Sequence, residues 1–587
     1  MRSYIIRYNA KVNHFSELRK SFVCIQTLID RKQTICEHIF LYLCNKQSIL
    51  PMKILKLFFI ALITAAPIFS NAQTGDDMKS VFVDAHTWTA SIKMGWNLGN
   101  ALECQTGWND KAFCWNPANN FNAETSWGNP KTTKEMLQAV REAGFDAVRI
   151  PVNWGAHISD ESTCTIDAAW MNRVQEVVDW ALQLGFKVLL NTHHEYWLEW
   201  HPTYDRQQAN NNKLAKIWMQ VANRFKDYGP DLAFAGINEV HLDGKWNVPT
   251  EENTAVTNSY NQTFVNTVRA TGGNNLYRNL VVQCYSCNPD YGLTGFVVPV
   301  DKVENRLSIE YHYYRPWDYA GDAPKYYYWG EAYKQYGEVS TADNEAKVNA
   351  DFARYKAAWY DKGLGVIMGE WGASQHYQVE SKAKQLENLY YHFKTVREAA
   401  QKNNIATFVW DNNACGNGGD KFGIFDRNDN MSVAFPEALN AIQEASGQTV
   451  VDYSRQAMQP SVVYQGDELM NWGEGKQLII GGSKFAYFTA ESKLMVTLDA
   501  EPGADYDMLQ FAYGDWKSKP LMIISGKSYK GQVEPSKING SRNTYTLFIG
   551  FKESSLNQLK DKGITLQGHG LRLRNVVVMP EGLVLGL

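Results

Sequence analysis

Leu232-Ala233-Phe234-Ala235-Gly236-Ile237-Asn238-Glu239 is an unbroken apolar run that stops on an amide and a carboxylate. It is too short for a buried helix and shows no polar alternation. That is how a strand buried on both faces reads. Seven more runs share the design: Lys93–Asn97, Ala147–Val152, Val188–His193, Leu280–Tyr285, Leu307–Tyr314, Val366–Trp371 and Ile405–Asp411. Each is bounded by Gly, Asn or Pro, which interrupt regular structure.

Helical patterns lie between the runs. Thr132-Thr133-Lys134-Glu135 has the spacing of a capping box, and Gly144 ends the helix it opens. Ala168–Leu184 carries Trp170, Val174, Val177, Val178, Ala181 and Leu182 at helical spacing. Lys213–Asp227, Glu252–Ala270, Lys347–Asp361 and Ser381–Lys402 follow, whereas no clear helix is legible between Tyr285 and Leu307. Strand and helix alternating in this way predict an α/β fold, a (β/α)8 TIM barrel over residues 74–450. A doubly wound open sheet is the alternative. From about Gly447 the texture changes. Strands follow one another quickly at Gln477–Ile480, Lys493–Leu498, Leu521–Ile524, Thr544–Phe551 and Leu571–Val578. They predict an all-β sandwich over residues 461–587, joined through a linker near Gly447–Ser461.

The 587 residues leave room for both domains. With 58 Lys+Arg against 62 Asp+Glu, the net charge of -4 offers no basic face for nucleic acid. Hydrophobic residues at 44% and charged residues at 20% exclude a disordered chain. The 19 Trp and 31 Tyr exceed what a core uses, so many of these rings should line a surface. No run reaches the roughly 18 apolar residues of a membrane span. Met52-Lys53-Ile54-Leu55-Lys56, the apolar Leu57–Ala66 and Ser70-Asn71-Ala72 before Gln73 make a secretory signal peptide over 52–72. Residues 1–51 then read as an upstream extension ahead of the true start at Met52. Six of the nine cysteines follow the signal: Cys104, Cys114, Cys164, Cys284, Cys287 and Cys415. Cys104 and Cys114 are spaced to close a short loop. Cys284 and Cys287 form half a zinc pattern with no second pair.

In a barrel of this kind the reactive groups sit at the C-terminal ends of the strands. The runs here end on Asn97, Arg149, His193, Asn238, Glu239, His312, Tyr314, Glu370 and Trp410. Glu239 and Glu370 suit glycoside hydrolysis, in which one carboxyl protonates the leaving oxygen and the other attacks or activates water. Salt bridging at the barrel mouth is the plainer alternative. His193-His194-Glu195 invites a metal, but His194 has no obvious further partner, so positioning is the preferred reading. The loop after Tyr314 holds Trp317, Tyr319, Tyr326, Tyr327, Tyr328, Trp329, Tyr333 and Tyr336. Flat rings stack on pyranose faces, so this loop reads as a subsite wall, with several of its rings expected to pack the loop itself. Trp127, Trp154, Trp197 and Trp200 are similar candidates.

The motifs are Met94-Gly95-Trp96-Asn97-Leu98-Gly99-Asn100, Glu124-Thr125-Ser126-Trp127-Gly128-Asn129-Pro130, Val148-Arg149-Ile150-Pro151-Val152-Asn153-Trp154, Asn191-Thr192-His193-His194-Glu195, Glu310-Tyr311-His312-Tyr313-Tyr314, Gly369-Glu370-Trp371-Gly372 and Trp410-Asp411-Asn412. In this order they resemble glycoside hydrolase family 5, the cellulase family, and most of all its subfamily 4. The resemblance spans about residues 78–446. It implies a retaining endo-β-1,4-glucanase that works by double displacement without cofactor or metal. Glu239 would be the acid/base and Glu370 the nucleophile. Arg149 and Tyr314 would serve Glu370, and Asn238 would hold the sugar 2-hydroxyl. His193 and His312 would position sugar and carboxyls. Trp410 would be the stacking platform, with Asn97, His194, Trp127, Trp154 and Trp317 also meeting substrate. At rest Glu370 would be ionised and Glu239 protonated. Val240 stands where the family usually has Pro, which leaves the course of the His241–Asn253 loop open. Expected partners are a polysaccharide alone, with no nucleic acid and no membrane span, and the chain is expected to act as a secreted or periplasmic monomer. A xyloglucan, mannan or xylan endo-hydrolase, a non-catalytic glycan-binding protein and a metal-dependent hydrolase are the competing readings. The sandwich is either a carbohydrate-binding module, with Trp472, Tyr513 and Trp516 as platforms, or a structural appendage.

Overall fold

The computed structural model describes residues 81–105, 123–450 and 460–580, apart from 515, 541 and 542. The extension, the signal peptide, Cys114 and most of the linker lie outside the described residues.

Eight parallel strands close into a barrel: β1 (Gly95–Asn97), β2 (Ala147–Ile150), β3 (Lys187–Asn191), β4 (Leu232–Ala235), β5 (Leu280–Gln283), β6 (Leu307–Tyr313), β7 (Gly365–Trp371) and β8 (Ile405–Val409). They pair in chain order, and β1 closes the ring against β8. This excludes the open sheet. Ala147, Leu189, Ala233, Ala235, Val281, Ile367, Ala406 and Phe408 form a cluster of their own, while larger apolar residues meet the helices. The chain before β1 stops one end of the barrel. Helix α1 (Ala85–Ala90) is capped by Asp84 and sends Trp88 into that inner cluster. Trp88 donates to Pro230 O, the Ala85 N–H donates to Asn305 O, and Asn279 donates to Val83 O. All three lie just ahead of strands β4, β6 and β5, so the stopper sits at the end where strands begin. The opposite mouth is left for chemistry.

The outer helices are α2 (Lys134–Glu142), α3 (Ala168–Gln183), α4 (Tyr204–Arg224), α5 (Glu251–Ala270), α6 (Pro289–Gly295), α7 (Glu345–Ala358), α8 (Lys382–Lys402) and α9 (Pro436–Ala445). Four of them differ from the sequence reading, which passed over α9 altogether. Thr133, not Thr132, caps α2 through the Met136 N–H, which moves Glu135 out of capping-box register. The capping box occurs instead on α5, between Thr250 and Asn253. α4 begins at Tyr204 rather than Lys213, because its polar first turns bury little beyond Asn210 and so give no apolar stripe. α6 is only 7 residues long, started by Asn288 and Pro289, too short for periodicity to register.

The C-terminal region is a sandwich of two antiparallel sheets. Its strands are β9 (Ser461–Met470), β10 (Leu478–Ile480), β11 (Lys493–Ala500), β12 (Met508–Tyr513), β13 (Leu521–Ile524), β14 (Lys527–Lys530), β15 (Gln532–Val533), β16 (Thr544–Phe551), β17 (Ile564–His569) and β18 (Leu571–Met579). One sheet runs β9-β18-β11-β16-β13-β14 and the other β10-β17-β12-β15. Leu494, Val496 and Leu498 alternate inward from β11 into a core separate from the barrel's. The sequence reading passed over β9, an edge strand whose side chains are mostly exposed, the strands β12, β14, β15 and β17, and the helix Glu553–Lys562. Tyr513 is buried and donates to Ser555 O, so it is no platform. Trp516 is 44% exposed, and Trp472 donates to the Tyr506 hydroxyl at the surface.

Candidate active site

At the C-terminal mouth the strand ends bring one connected set of side chains together. Arg149, the third residue of β2, is fully buried. Its Nη1 donates to Glu370 Oε1 at 2.9 Å and to Asn97 Oδ1 at 3.0 Å, and its Nη2 donates to Asn238 Oδ1 at 2.8 Å. Tyr314, just past β6, donates its hydroxyl to Glu370 Oε2 at 3.1 Å. His312 Nδ1 lies 2.6 Å from Glu239 Oε1 and 3.6 Å from Glu370 Oε2. A ligand atom from each of Glu239, His312 and Glu370 thus falls within 4.8 Å of the other two.

Local backbone makes this convergence. Along β6, Tyr311 pairs with Met368 and His312 with Glu370, so β7 carries an extra residue at Gly369. A bulge of that kind re-aims the side chain beside it. Asn97 Nδ2 fastens the bulge by donating to Gly369 O at 2.8 Å and to Phe408 O and Val409 O on β8. Glu239 sits beyond the end of β4 with φ of 43°, a conformation that favours glycine and persists only where neighbours fix it. Gln283, the last residue of β5, accepts the Glu239 N–H at 3.2 Å, and Asn261 on α5 holds the Gln283 backbone from both sides.

The electrostatics differ from the sequence expectation. Burial alone would lower the His312 imidazole, but the facing Cys287, Glu370 and Glu239 hold it well above its usual range. Burial pushes Glu239 up, yet the hydrogen-bonded His312 cation overrides that and holds it below the usual carboxylate range. Glu370 stays raised, by burial first, since His312 and Arg149 do not offset that together with the charges of Glu239 and Glu310. The two carboxyls are thus pushed in directions opposite to those expected, Glu239 down and Glu370 up. His193 is pushed well down by burial and is a neutral ring, 3.4 Å from Asn238 Nδ2 and 4.0 Å from Glu370 Oε1.

Around this cluster lie the proposed substrate contacts, and two of them do not hold. Asn97 is 0% exposed and fully engaged with the barrel wall. Trp154 is also 0% exposed, with its indole N–H on Asn191 O at 3.0 Å, so the ring is core. Trp410 is half-buried, with its ring 6.0 Å from that of His193 and within 7° of parallel. Trp127 donates to Gln105 O and lies 5.5 Å from the half-buried His194 ring. Trp317 is 52% exposed and meets Tyr314 edge-on. Of the loop rings, Tyr319, Tyr328, Trp329 and Tyr333 are buried, whereas Tyr326, Tyr327 and Tyr336 retain exposure.

The sequence reading missed Glu310. It lies two residues before His312 on β6, hence on the same face, and that spacing was the available signal. It is 0% exposed and pairs with Arg149 Nε at 2.9 Å. Glu195 was also unassigned; it accepts the N–H groups of Trp154 and Gly155 and so pins one wall loop. The cysteines Cys164, Cys284, Cys287 and Cys415 are free thiols, and none of them forms a disulfide.

Comparison with known proteins agrees with this geometry. The family model described as Cellulase (glycosyl hydrolase family 5) matches residues 110–416, which leaves the sandwich outside the match. Endoglucanase A of Paenibacillus barcinonensis is 35% identical over 408 residues, covering 66% of this chain and 96% of that protein. The xyloglucan-specific endo-beta-1,4-glucanase of Bacteroides ovatus is 37% identical over 330 residues, 55% of this chain and 64% of that protein. Among solved structures, a GH5-4 broad specificity endoglucanase from Ruminococcus champanellensis with bound cellotriose matches with a TM-score of 0.55 and 34% identity, covering 61% of this chain and 98% of that one. The Bacteroides ovatus GH5 xyloglucanase in complex with a XXXG heptasaccharide matches with a TM-score of 0.57 and 33% identity, over 62% of this chain and 77% of that one.

Proposed function

This chain belongs to glycosyl hydrolase family 5 and is a hydrolytic enzyme of the endoglucanase type, and from that premise we propose that it cleaves internal β-1,4 bonds of glucans with retention of configuration. The observation that carries the reading is the approach of the Glu239 and Glu370 carboxyl oxygens to within 4.8 Å of each other and of His312 Nδ1. A retaining pair stands about 5–5.5 Å apart, an inverting pair about 6.5–9.5 Å.

In the first step a Glu370 oxygen attacks the anomeric carbon, and the bond to the leaving oxygen breaks. That oxygen takes a proton from Glu239, leaving a glycosyl ester on Glu370. In the second step Glu239 accepts a proton from water as the water oxygen attacks the same carbon, and the ester releases the Glu370 carboxylate. Glu239 must therefore hold a proton when the first bond breaks. His312, 2.6 Å from Glu239 Oε1 and 3.6 Å from Glu370 Oε2, is the route by which a proton passes between the carboxyls to Glu239. Arg149 and Tyr314 stabilise the charge on Glu370, and Asn238 is turned by Arg149 to receive the sugar 2-hydroxyl. Trp410 stacks on the sugar at the cleavage point, with Trp317, Trp127 and His194 further along. A metal-dependent reaction is the competing reading, since a ligand atom from each of Glu239, His312 and Glu370 falls within 4.8 Å of the others; activity unchanged by a chelator would discard it.

A xyloglucan is the second reading, favoured by the likeness to a xyloglucan-specific enzyme. A panel of mixed-linkage β-glucan, xyloglucan, glucomannan and xylan, read by reducing sugar, separates the two. The roles are tested by substitution. Glu239→Ala should still form the ester from a substrate whose leaving group needs no proton, and azide should then release the β-glycosyl azide. Glu370→Ala with azide should give the α-azide. Inverted early product, or the opposite azide anomers, would overturn the assignment.

The same reading includes export through the signal at 52–72, leaving a mature, monomeric enzyme that starts near Gln73. Mass spectrometry of the exported protein tests it. No helix of the described residues is long and apolar enough to cross a membrane. Residues 461–587 are proposed to bind glycan through Trp472 and Trp516. Their separate core and the surface position of both rings support this. A 74–450 truncation should keep its rate on soluble glucan and lose rate on insoluble glucan; equal losses on both would sink the binding role.

A further inference from the structure

We propose that Glu310 is a positioning residue of this reaction: its buried carboxylate holds Arg149 and His312 at once, and so ties the partner of the nucleophile to the partner of the acid/base. The proposal rests on the roles given above to Glu370 and Glu239. Glu310 Oε1 lies 2.9 Å from Arg149 Nε and 3.4 Å from His312 Nε2. The side chain is 0% exposed and sits beneath both, out of reach of any sugar.

Three features argue that this placement is more than a filled space. A carboxylate this deep is costly unless both its charge and its lone pairs are met. Here Oε1 faces both cations that also touch the catalytic carboxyls, while Oε2 is buried without a hydrogen-bond partner among the described residues, so Arg149 and His312 carry the whole charge compensation. Glu310 fixes the His312 ring by its Nε2 edge, which aims Nδ1 at Glu239 Oε1 and toward Glu370 Oε2. And the residue before Glu370 is Gly369, where a Cβ would overlap Glu310 Oε1 and the carbons behind it. The bulge that aims Glu370 is therefore also the gap that admits Glu310.

The titratable groups around this carboxylate come from five further elements. They are Arg149 on β2, His193 beyond β3, Glu239 beyond β4, Cys287 after β5 and Glu370 on β7. Two cations, Arg149 and His312, thus meet three carboxylates. Removing the negative charge of Glu310 lowers the proton affinity of every neighbour. Glu370 then ionises at lower pH, and His312 gives up its proton at lower pH.

The test is Glu310→Gln in the full chain, which keeps the shape and removes the charge. Circular dichroism and melting establish that the variant is folded. The pH–rate profile on soluble mixed-linkage β-glucan should then move, both limbs shifting down by about one unit or more. kcat should fall by about tenfold or more, with KM within about twofold. A merely structural role would lower Tm and leave the limbs where they are, and that result would overturn the proposal. Should the variant fail to fold, histidine-selective 15N NMR of the unaltered chain decides instead, with the His312 signal assigned from His312→Gln. His312 should be an imidazolium at neutral pH; a neutral ring there would equally overturn the tie. The azide anomers test the nucleophile and acid/base roles separately, so failure of that reading and failure of this one are told apart.

Discussion

Removing the Arg149 charge should damage stability and catalysis together, with a pH signature that identifies the cause. Arg149 spreads four contacts over one guanidinium: Glu370 and Asn97 on Nη1, Asn238 on Nη2 and Glu310 on Nε. Its side chain and that of Glu310 are 0% exposed, and that of Glu370 is 7% exposed. Arg149→Met leaves two carboxylates in a dry site without their cation. Breaking such a buried pair costs about 3–5 kcal/mol. At about 2–4 °C per kcal/mol, Tm should fall by roughly 10 °C. The effect on rate follows from the sign of the interaction. A cation within hydrogen-bond distance favours ionised Glu370, so its loss raises that carboxyl by about 1–3 units. The attacking carboxylate then forms only at higher pH. The acid limb should move up by that amount, with the loss of kcat/KM largest at low pH and shrinking as pH rises. Arg149→Lys keeps a charge but cannot span four acceptors at once. Its acid limb should stay close to native while kcat falls, because Asn238 and Glu370 are no longer held in register. The assay is a pair of pH–rate profiles on soluble β-glucan with melting curves alongside. An acid limb unmoved in a folded Arg149→Met would refute the reasoning.

Three other outcomes follow from particular contacts. Glu103, buried against the backbone N–H groups of Asn100 and Ala101, is raised by burial from 4.5 to about 7. The folded chain therefore binds this proton more tightly, and stability should decline by about 3 kcal/mol as pH rises from 4.5 through 7; Glu103→Gln should remove that slope in denaturant melts at pH 5 and pH 8. Trp154→Phe, which loses the bond to Asn191 O, should lower stability by about 1–3 kcal/mol without changing KM, whereas Trp410→Ala should leave Tm nearly unchanged and lower kcat/KM by about tenfold. A KM effect from Trp154→Phe would return that ring to the subsite.

Pattern in the chain carried the barrel and the reactive strand ends. Continuous apolar runs such as Leu280–Gln283 and Ile405–Val409 admit no environment but a strand covered on both faces, and helices of matching length cover them. Because all eight strands run parallel, their C-terminal residues must meet at one mouth, so Arg149, Glu239, His312 and Glu370 were legible from position alone. What the sequence left open was direction and charge. Asn97 and Trp154 stand at or just past strand ends as Trp410 does, yet they face the wall, Asn97 donating to Gly369 O, Phe408 O and Val409 O and Trp154 to Asn191 O. The stopper at the barrel floor, with Trp88 bonded to Pro230 O, joins segments 142 residues apart and has no local signature. The opposite pulls on Glu239 and Glu370 come in part from His312 and Glu310, side chains from a third strand brought near groups far away in sequence. Residue type and spacing fix which groups reach the mouth; only closure of the barrel fixes which charge lies nearest which, since a Coulomb interaction depends on distance through space and on burial, and neither is written along the chain.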